Sequence, residues 1–224
     1  MRTAIRLKLD CVRCVLEFCR RFPDPTPAGT TAIVRLQRLA AQVETLLGQQ
    51  HAARQEAAAS IKERDRIAGP MRERLAHLAR LAGAVALHEG EKGLRLTIPA
   101  AATSQAGFLA GARGAVAIAA ANEPLLLSYG MPPGMLGELS RELDRYEETV
   151  ERRSNAEATV GAAGADITAL AGEALQIIRL LDALNHIRFA TDRECLTQWE
   201  AARTIRWGRA GDQAPAAPPD AAVA

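Results

Sequence analysis

Apolar and small side chains recur every three or four residues along two long stretches of this chain, residues 29–88 and 133–187. This spacing aligns them on one side of an α-helix, so each stretch is predicted to be a long helix with one apolar seam. Because each seam needs a partner, we expect the two helices to pack antiparallel. The seam positions singled out in the second helix are Leu136, Leu139, Leu143, Val150, Ile167 and Leu181.

Both seams become polar near their midpoints, at residues 48–56 and 151–157. Antiparallel pairing places one polar segment beside the other. A continuous helix of roughly 60 residues would be about 90 Å long, so we expect a bundle with two apolar ends rather than a globule with one core. The predicted fold class is all-α, an elongated, coiled-coil-like antiparallel helical bundle that forms a single domain over residues 1–207.

Shorter terminal and central helices are predicted around the long pair. Residues 2–22 form an amphipathic helix with a wide apolar face, and residues 104–122 form a helix rich in glycine and alanine that suits close packing. Residues 124–130 are predicted to form one short turn. We expect the first helix and a closing helix to join one end of the bundle, and the central helix and turn to join the other.

Two segments are predicted to disturb the long helices. Proline lacks a backbone N–H and clashes with the preceding turn, so Pro70 predicts a kink or short break near Ala68. Glycines weaken the second long helix, and the alternative to a continuous helix is a split at residues 161–165 with Asp166 as a new N-cap.

Three sequence signals place helix ends. Thr26 followed by Pro27 is typical of a helix start, because the hydroxyl caps a free amide and proline suits the first helical position. Thr191 and Glu194 match a capping box that would open the closing helix. Trp199 lies on the apolar face of that helix and is predicted to anchor it to the bundle.

The composition and charge of the chain limit the kinds of partner that it is expected to bind. The chain is 48% hydrophobic but only 4% aromatic, so stability is expected from many small contacts. With 28 basic and 26 acidic residues the formal net charge is +2, which provides no strong field for nucleic acid. The basic run at residues 62–80 is interleaved with acids and lacks aromatic side chains, so we predict a solvated face and no nucleic-acid partner. The Ala, Arg, Leu and Gly bias looks like that of helical proteins encoded by GC-rich bacterial genomes.

Charged residues interrupt both apolar segments that could direct the chain to a membrane. Arg6, Lys8 and Asp10 interrupt the first apolar segment, so no secretory signal is predicted and a cytoplasmic location is expected. Arg113 interrupts the longest near-apolar segment, which argues for a buried helix over a membrane span. Residues 208–224 are dominated by Pro, Ala and Gly and are predicted to be a disordered tail.

Cysteines supply the one metal-like motif, since Cys11 and Cys14 have the spacing of a chelating pair. Cys19 and Cys195 could complete a set if both terminal helices meet at one end. However, the pair lies within an amphipathic helix, where cysteine behaves as a small hydrophobe, so we predict core packing rather than a metal site. The sequence also lacks a Glu-x-x-His pair, a phosphate loop and a nucleophile turn. It therefore predicts no catalytic residue, no cofactor and no small-molecule substrate.

Clear architecture without recognisable chemistry favours a non-enzymatic scaffold, adaptor or assembly subunit that acts through a protein partner or self-association. Two alternatives stay open. The first is a metal- or thiol-dependent helical protein that uses the cysteines. The second is a membrane-surface coiled-coil protein that uses the basic amphipathic helix at residues 2–22.

Overall fold

The structure, a computed structural model, describes residues 3–99 and 104–205, apart from the side chain of Lys92. Within these residues it is all-α, with six α-helices, one short 3₁₀ turn and no strand, which confirms the predicted fold class. The predicted tail at residues 208–224 lies outside the described residues. The helices are α1 (Thr3–Arg21), α2 (Pro27–Glu89), α3 (Gln105–Ala121), α4 (Glu123–Ser128), α5 (Met135–Arg188) and α6 (Arg193–Arg203), and the 3₁₀ turn is Lys92–Leu94.

The helices form two compact units. Unit 1 contains α1, α6, the part of α2 up to Gly48 and the part of α5 from Ala162. Unit 2 runs from Gln49 to Gly161 and contains α3, α4 and the remaining parts of the long helices. In both units α2 and α5 pack antiparallel, because rising residue numbers in α2 meet falling numbers in α5.

The core of unit 1 joins the four helices that the sequence predicts for one end of the bundle. Trp199 of α6 is fully buried, and the ring of Phe18 packs edge-on against it with centroids 5.2 Å apart. The indole Nε1 donates a hydrogen bond to Asp182 Oδ1 at 2.8 Å, so the buried polar atom has a partner. The other buried residues include Val12, Val15, Leu36, Leu39, Ala174, Ile178, Leu181 and Phe189.

The core of unit 2 joins α3 and α4 to the long helices, as predicted for the other end. Phe108 of α3 packs edge-on against Tyr146 of α5, with centroids 5.7 Å apart. Leu126 of the short α4 is fully buried and closes the end of this core. The loop after the 3₁₀ turn packs Leu96 and Ile98 against the same cluster, so this loop covers part of the core without forming a strand.

Of the kink or short break predicted near Ala68, the break does not occur, because α2 continues through Pro70. Pro70 and Gly69 are exposed, whereas Ile67 and Met71 on either side are buried in the core of unit 2. The carbonyl that loses its N–H partner therefore lies on the exposed side of the helix, where water can satisfy it. Packing of the buried side compensates for the missing backbone bond.

Helix α5 is likewise continuous across residues 161–165, so the alternative of a split helix does not occur. At the start of α2 the predicted cap is confirmed, since the Thr26 hydroxyl accepts a hydrogen bond from the Gly29 amide at 3.1 Å. The predicted capping box of α6 is displaced by one residue. Asp192, not Thr191, is the N-cap, and its carboxylate accepts from the Cys195 amide at 3.0 Å.

Candidate interaction surface

The seam residues singled out in the sequence lie inside the two cores. Leu136, Leu139 and Leu143 are buried in unit 2, and Val150 is half-buried against the same cluster. Ile167, Leu181 and Trp199 are buried in unit 1. These side chains hold α5 and α6 in place, and a partner protein would have to bind other residues.

The four cysteines lie in different environments. Cys11 and Cys19 are buried in the core of unit 1, Cys195 is half-buried, and Cys14 is exposed. The expectation that Cys14 packs in the core is therefore wrong, because α1 turns it toward solvent between its buried neighbours. The Cys11 thiol contacts the carbonyl oxygen of Arg203 at 3.2 Å. Among the described residues no three His, Cys, Asp or Glu side chains are grouped closely enough to hold a metal ion.

Burial also governs the chemistry of the thiols. Desolvation raises the pKa of Cys11, and desolvation together with the nearby Asp24 raises the pKa of Cys19 to about 11. For Cys195, a hydrogen bond to Asp192 raises the thiol pKa, with desolvation as a second cause. A raised pKa lowers the fraction of thiolate, the form that acts as a nucleophile.

One exposed polar cluster joins α4 to the end of α2. The Tyr129 hydroxyl donates a hydrogen bond to Glu89 and contacts His88 Nδ1 at 2.7 Å. The bond to Glu89 raises the pKa of Tyr129, and the same bond lowers the pKa of Glu89. A neutral phenol held by a carboxylate fixes the end of α4, and its raised pKa is the opposite of what a catalytic tyrosine base needs.

A different surface emerges from the outer side of α5 in unit 1. Leu180 is 50% exposed and Ile187 is 79% exposed, and Leu184 between them is half-buried. The spacing of four and then three residues aligns the three side chains as one stripe. Helix α6 attaches elsewhere on α5, since Trp199 and Arg203 bind Asp182, about 160° around the helix from Leu180. No helix in the described part of the chain covers the stripe.

The stripe continues along the groove between α2 and α5. Near the residues where unit 1 ends, Gly48 of α2 and Ala162 of α5, this groove has a volume of about 430 Å³. It is lined there by polar and aliphatic side chains, among them Leu46 and Leu170. We call the whole surface the open face. It consists of Thr31, Arg35, Arg38, Gln42, Thr45 and Leu46 of α2 with Asp166, Ala169, Leu170, Glu173, Leu180, Leu184 and Ile187 of α5.

Charges divide the open face lengthwise. Its α2 side carries Arg35 and Arg38, and its α5 side carries Asp166 and Glu173. Arg35 Nε donates to Glu173 Oε1 at 3.1 Å, which links the two sides. Arg38 and Asp166 form no ion pair among the described residues and remain available to another molecule.

Charged side chains also bridge α2 and α5 in unit 2. Arg74 contacts Glu138 at 3.3 Å and Glu142 at 2.8 Å. Arg145 contacts Glu63 at 3.3 Å, and Glu63 also pairs with Arg66. Unit 2 also exposes large hydrophobic side chains, at Leu87, Ile118, Leu127 and Tyr129.

Leu180, Leu184 and Ile187 are not among the predicted seam residues. A detectable signal was present, since Leu170, Ile177, Leu180, Leu184 and Ile187 form a second apolar stripe beside the predicted seam. Such a stripe marks a helix with apolar contacts on two sides. Which of the two stripes faces outward depends on where α1 and α6 dock, and the spacing along α5 alone does not contain that information.

Comparison of this chain with protein-family models, with curated proteins and with solved structures yields no match. Of the helices in residues 3–99 and 104–205, none combines the length and the apolar character that crossing a bilayer requires. The geometry of the open face is therefore the basis for a functional proposal.

Proposed function

We propose that this protein is a non-enzymatic scaffold, adaptor or assembly subunit that binds a protein through the open face of unit 1. The observation that carries the proposal is the exposed stripe of Leu180, Leu184 and Ile187. Large aliphatic side chains aligned on a helix face are the usual anchors for a helix of a partner protein. Fully burying an exposed side chain of this size stabilises a complex by about 1.5–3 kcal/mol before the cost of association, and the partly buried Leu180 and Leu184 contribute less than Ile187.

The open face also has the polar features of a specific contact surface. Its apolar stripe is bordered by arginines on α2 and by carboxylates on α5. Charged side chains at the border of an interface select partners and fix their orientation more than they increase affinity. Single exposed apolar residues are common on protein surfaces. The open face differs from them because it combines an aligned apolar stripe with charged borders.

The thiol and membrane alternatives are less well supported. A thiol nucleophile needs ionised sulfur, and burial raises the pKa of both Cys11 and Cys19. A metal site needs a group of ligands, and the described residues bring no three His, Cys, Asp or Glu side chains together. A membrane-surface function needs a free apolar face on α1, but Val12, Val15 and Phe18 of that face are packed in the core of unit 1. Neither alternative is favoured by a specific observation.

Site-specific photocrosslinking in cells tests the proposal. A photoreactive amino acid at position 180 is expected to give discrete crosslinked protein products, because this position lies within the proposed interface. The same probe at exposed Arg141 on α5 of unit 2 serves as the control and is expected to give no comparable products. If position 180 gives no more product than position 141, the open face is not a protein-binding surface.

A further inference from the structure

We infer that the open face binds the same face of a second copy of this chain, in a dimer whose two-fold axis runs parallel to α2 and α5. The inference rests on the proposed function and specifies its partner. Four features of the open face lead to it: the distribution of charge, the level at which the charges lie along the helices, the shape of the α2 surface, and the area of the face.

Charge is distributed so that the face complements itself. Its α2 side is basic through Arg35 and Arg38, and its α5 side is acidic through Asp166 and Glu173. A two-fold axis parallel to the helices exchanges left and right, so it places the basic side of each copy over the acidic side of the other. An in-plane axis perpendicular to the helices would instead place α2 over α2, with arginine facing arginine.

The axial levels of these charges also match. The Arg35–Glu173 pair within one chain shows which residues of α2 and α5 lie at the same level. By this alignment Arg38 lies between Glu173 and Asp166, within about 6 Å of each along the axis at about 1.5 Å per residue. A two-fold axis parallel to the helices leaves the position of each residue along the helices unchanged. Arg38 of one copy therefore lies opposite Asp166 and Glu173 of the other. This contact gives both Arg38 and Asp166 partners of opposite charge.

The shape of the surface near the start of α2 supports the same arrangement. Thr31 and Val34 of α2 line a surface groove of about 440 Å³, and Val34 is itself 40% exposed. In the dimer, Leu180 of the second copy lies within one helical turn of this groove. An aliphatic side chain beside a concave, partly apolar surface is the arrangement found in helix–helix packing.

The size of the face suits a stable dimer. The two helices of the open face lie side by side from Pro27 to Leu46 of α2, a length of about 30 Å at about 1.5 Å per residue, and together they are about 20 Å wide. Contact over this area buries about 600 Å² per copy and about 1,200 Å² in total, at the lower end of the range of about 1,200–2,000 Å² typical of specific interfaces.

Sedimentation equilibrium of the full chain over a concentration series tests self-association. The unaltered protein is expected to form a dimer. Replacing Leu180 and Ile187 together by Glu is expected to weaken dimerisation at least about tenfold, because Leu180 of each copy lies beside α2 of the other copy and the new carboxylates add like charges to both open faces. Leu87→Glu is the matched control, since Leu87 is 74% exposed on α2 of unit 2. Circular dichroism of each variant verifies that helix content is unchanged, as expected for substitutions of exposed residues.

Charge exchange tests the direction of the axis. Arg38→Glu and Asp166→Arg are each expected to weaken the homodimer by about tenfold, because each places like charges at two symmetric contacts. A mixture of the two variants is expected to form a heterodimer that is tighter than either variant homodimer, since both contacts between residues 38 and 166 again join opposite charges. Absence of this rescue would overturn the parallel axis.

Three results would overturn the inference, and they separate it from the proposed function. The unaltered chain could be monomeric at all concentrations, or its dimer could resist the Leu180 and Ile187 substitutions. In either case, crosslinks from position 180 to a different protein would leave the proposed function standing. Crosslinks from position 180 only to residues 206–224 of the same chain would show that the chain covers its own open face, and both proposals would fail.

Discussion

Asp192 shows how one side chain sets the end of a helix. Its carboxylate accepts the hydrogen bond from the Cys195 amide that begins α6. The sequence favoured Thr191 because Thr and Glu three residues apart fit a capping box, but Asp192 has the same freedom to cap and carries a charge. A carboxylate also interacts favourably with the positive end of the helix dipole, which explains why it displaces the hydroxyl.

This cap predicts a dependence of stability on acid. The hydrogen bond from the Cys195 backbone, with others from Cys195 and Glu194, lowers the pKa of Asp192. Because the folded-state pKa is depressed, the contribution is present above the unfolded-state pKa of about 3.9 and is lost as pH falls through the folded-state pKa. We expect Asp192→Asn, which keeps a capping oxygen, to reduce the loss of stability below about pH 4. Urea unfolding at several acidic pH values measures this, and an unchanged pH profile would contradict it.

Thiol labelling is predicted to follow exposure in unit 1. Cys14 is exposed, whereas Cys11 and Cys19 are buried and their pKa values are raised. An alkylating reagent at pH 8 is expected to label Cys14 fast and Cys195 more slowly, and to reach Cys11 and Cys19 only when the core opens. Mass spectrometry of peptides from timed samples gives the four rates. Equal rates for Cys14 and Cys11 would show that α1 does not pack as described.

At the scale of elements, glycine positions test why the long helices stay continuous. A Cβ at Gly161 would meet open space, so Gly161→Ala is expected to stabilise α5 by about 1 kcal/mol. A Cβ at Gly111 of α3 would overlap the side chain of Pro99, so Gly111→Ala is expected to destabilise unit 2 by about 1–3 kcal/mol. Thermal unfolding compares the two variants with the unaltered chain, and the same sign for both would contradict the described packing of α3.

The sequence predicts the elements better than their interruptions or their exposed sides. Three-four spacing locates α2 and α5, and Thr26 locates the start of α2, because these signals are local. Continuity at Pro70 is not a local property, since burial of Ile67 and Met71 in tertiary contacts outweighs the cost of proline. For the candidate site, the residues of the second stripe are visible in the sequence, but their exposure is decided by the docking of α6 on the opposite side of α5.

At the scale of the whole molecule, each unit has its own core, and substitutions should report on them separately. Leu139 is fully buried in unit 2, and Leu181 is nearly so in unit 1. Replacing either by Ala is expected to cost about 2–5 kcal/mol, because it removes buried aliphatic atoms and leaves a cavity. Amide hydrogen exchange should increase mainly in residues 49–161 for Leu139→Ala and mainly outside that range for Leu181→Ala. An even increase over both units for each variant would show that they unfold as one.

The aromatic residues of the two cores make the units optically distinguishable. Both tyrosines of the chain, Tyr129 and Tyr146, belong to unit 2, and Tyr146 has a fixed edge-on neighbour in Phe108. Trp199 reports on unit 1 from its fully buried position beside Phe18. Near-ultraviolet circular dichroism and tryptophan fluorescence can therefore follow the two units separately in a single unlabelled sample, once Trp207 is replaced so that Trp199 is the sole indole.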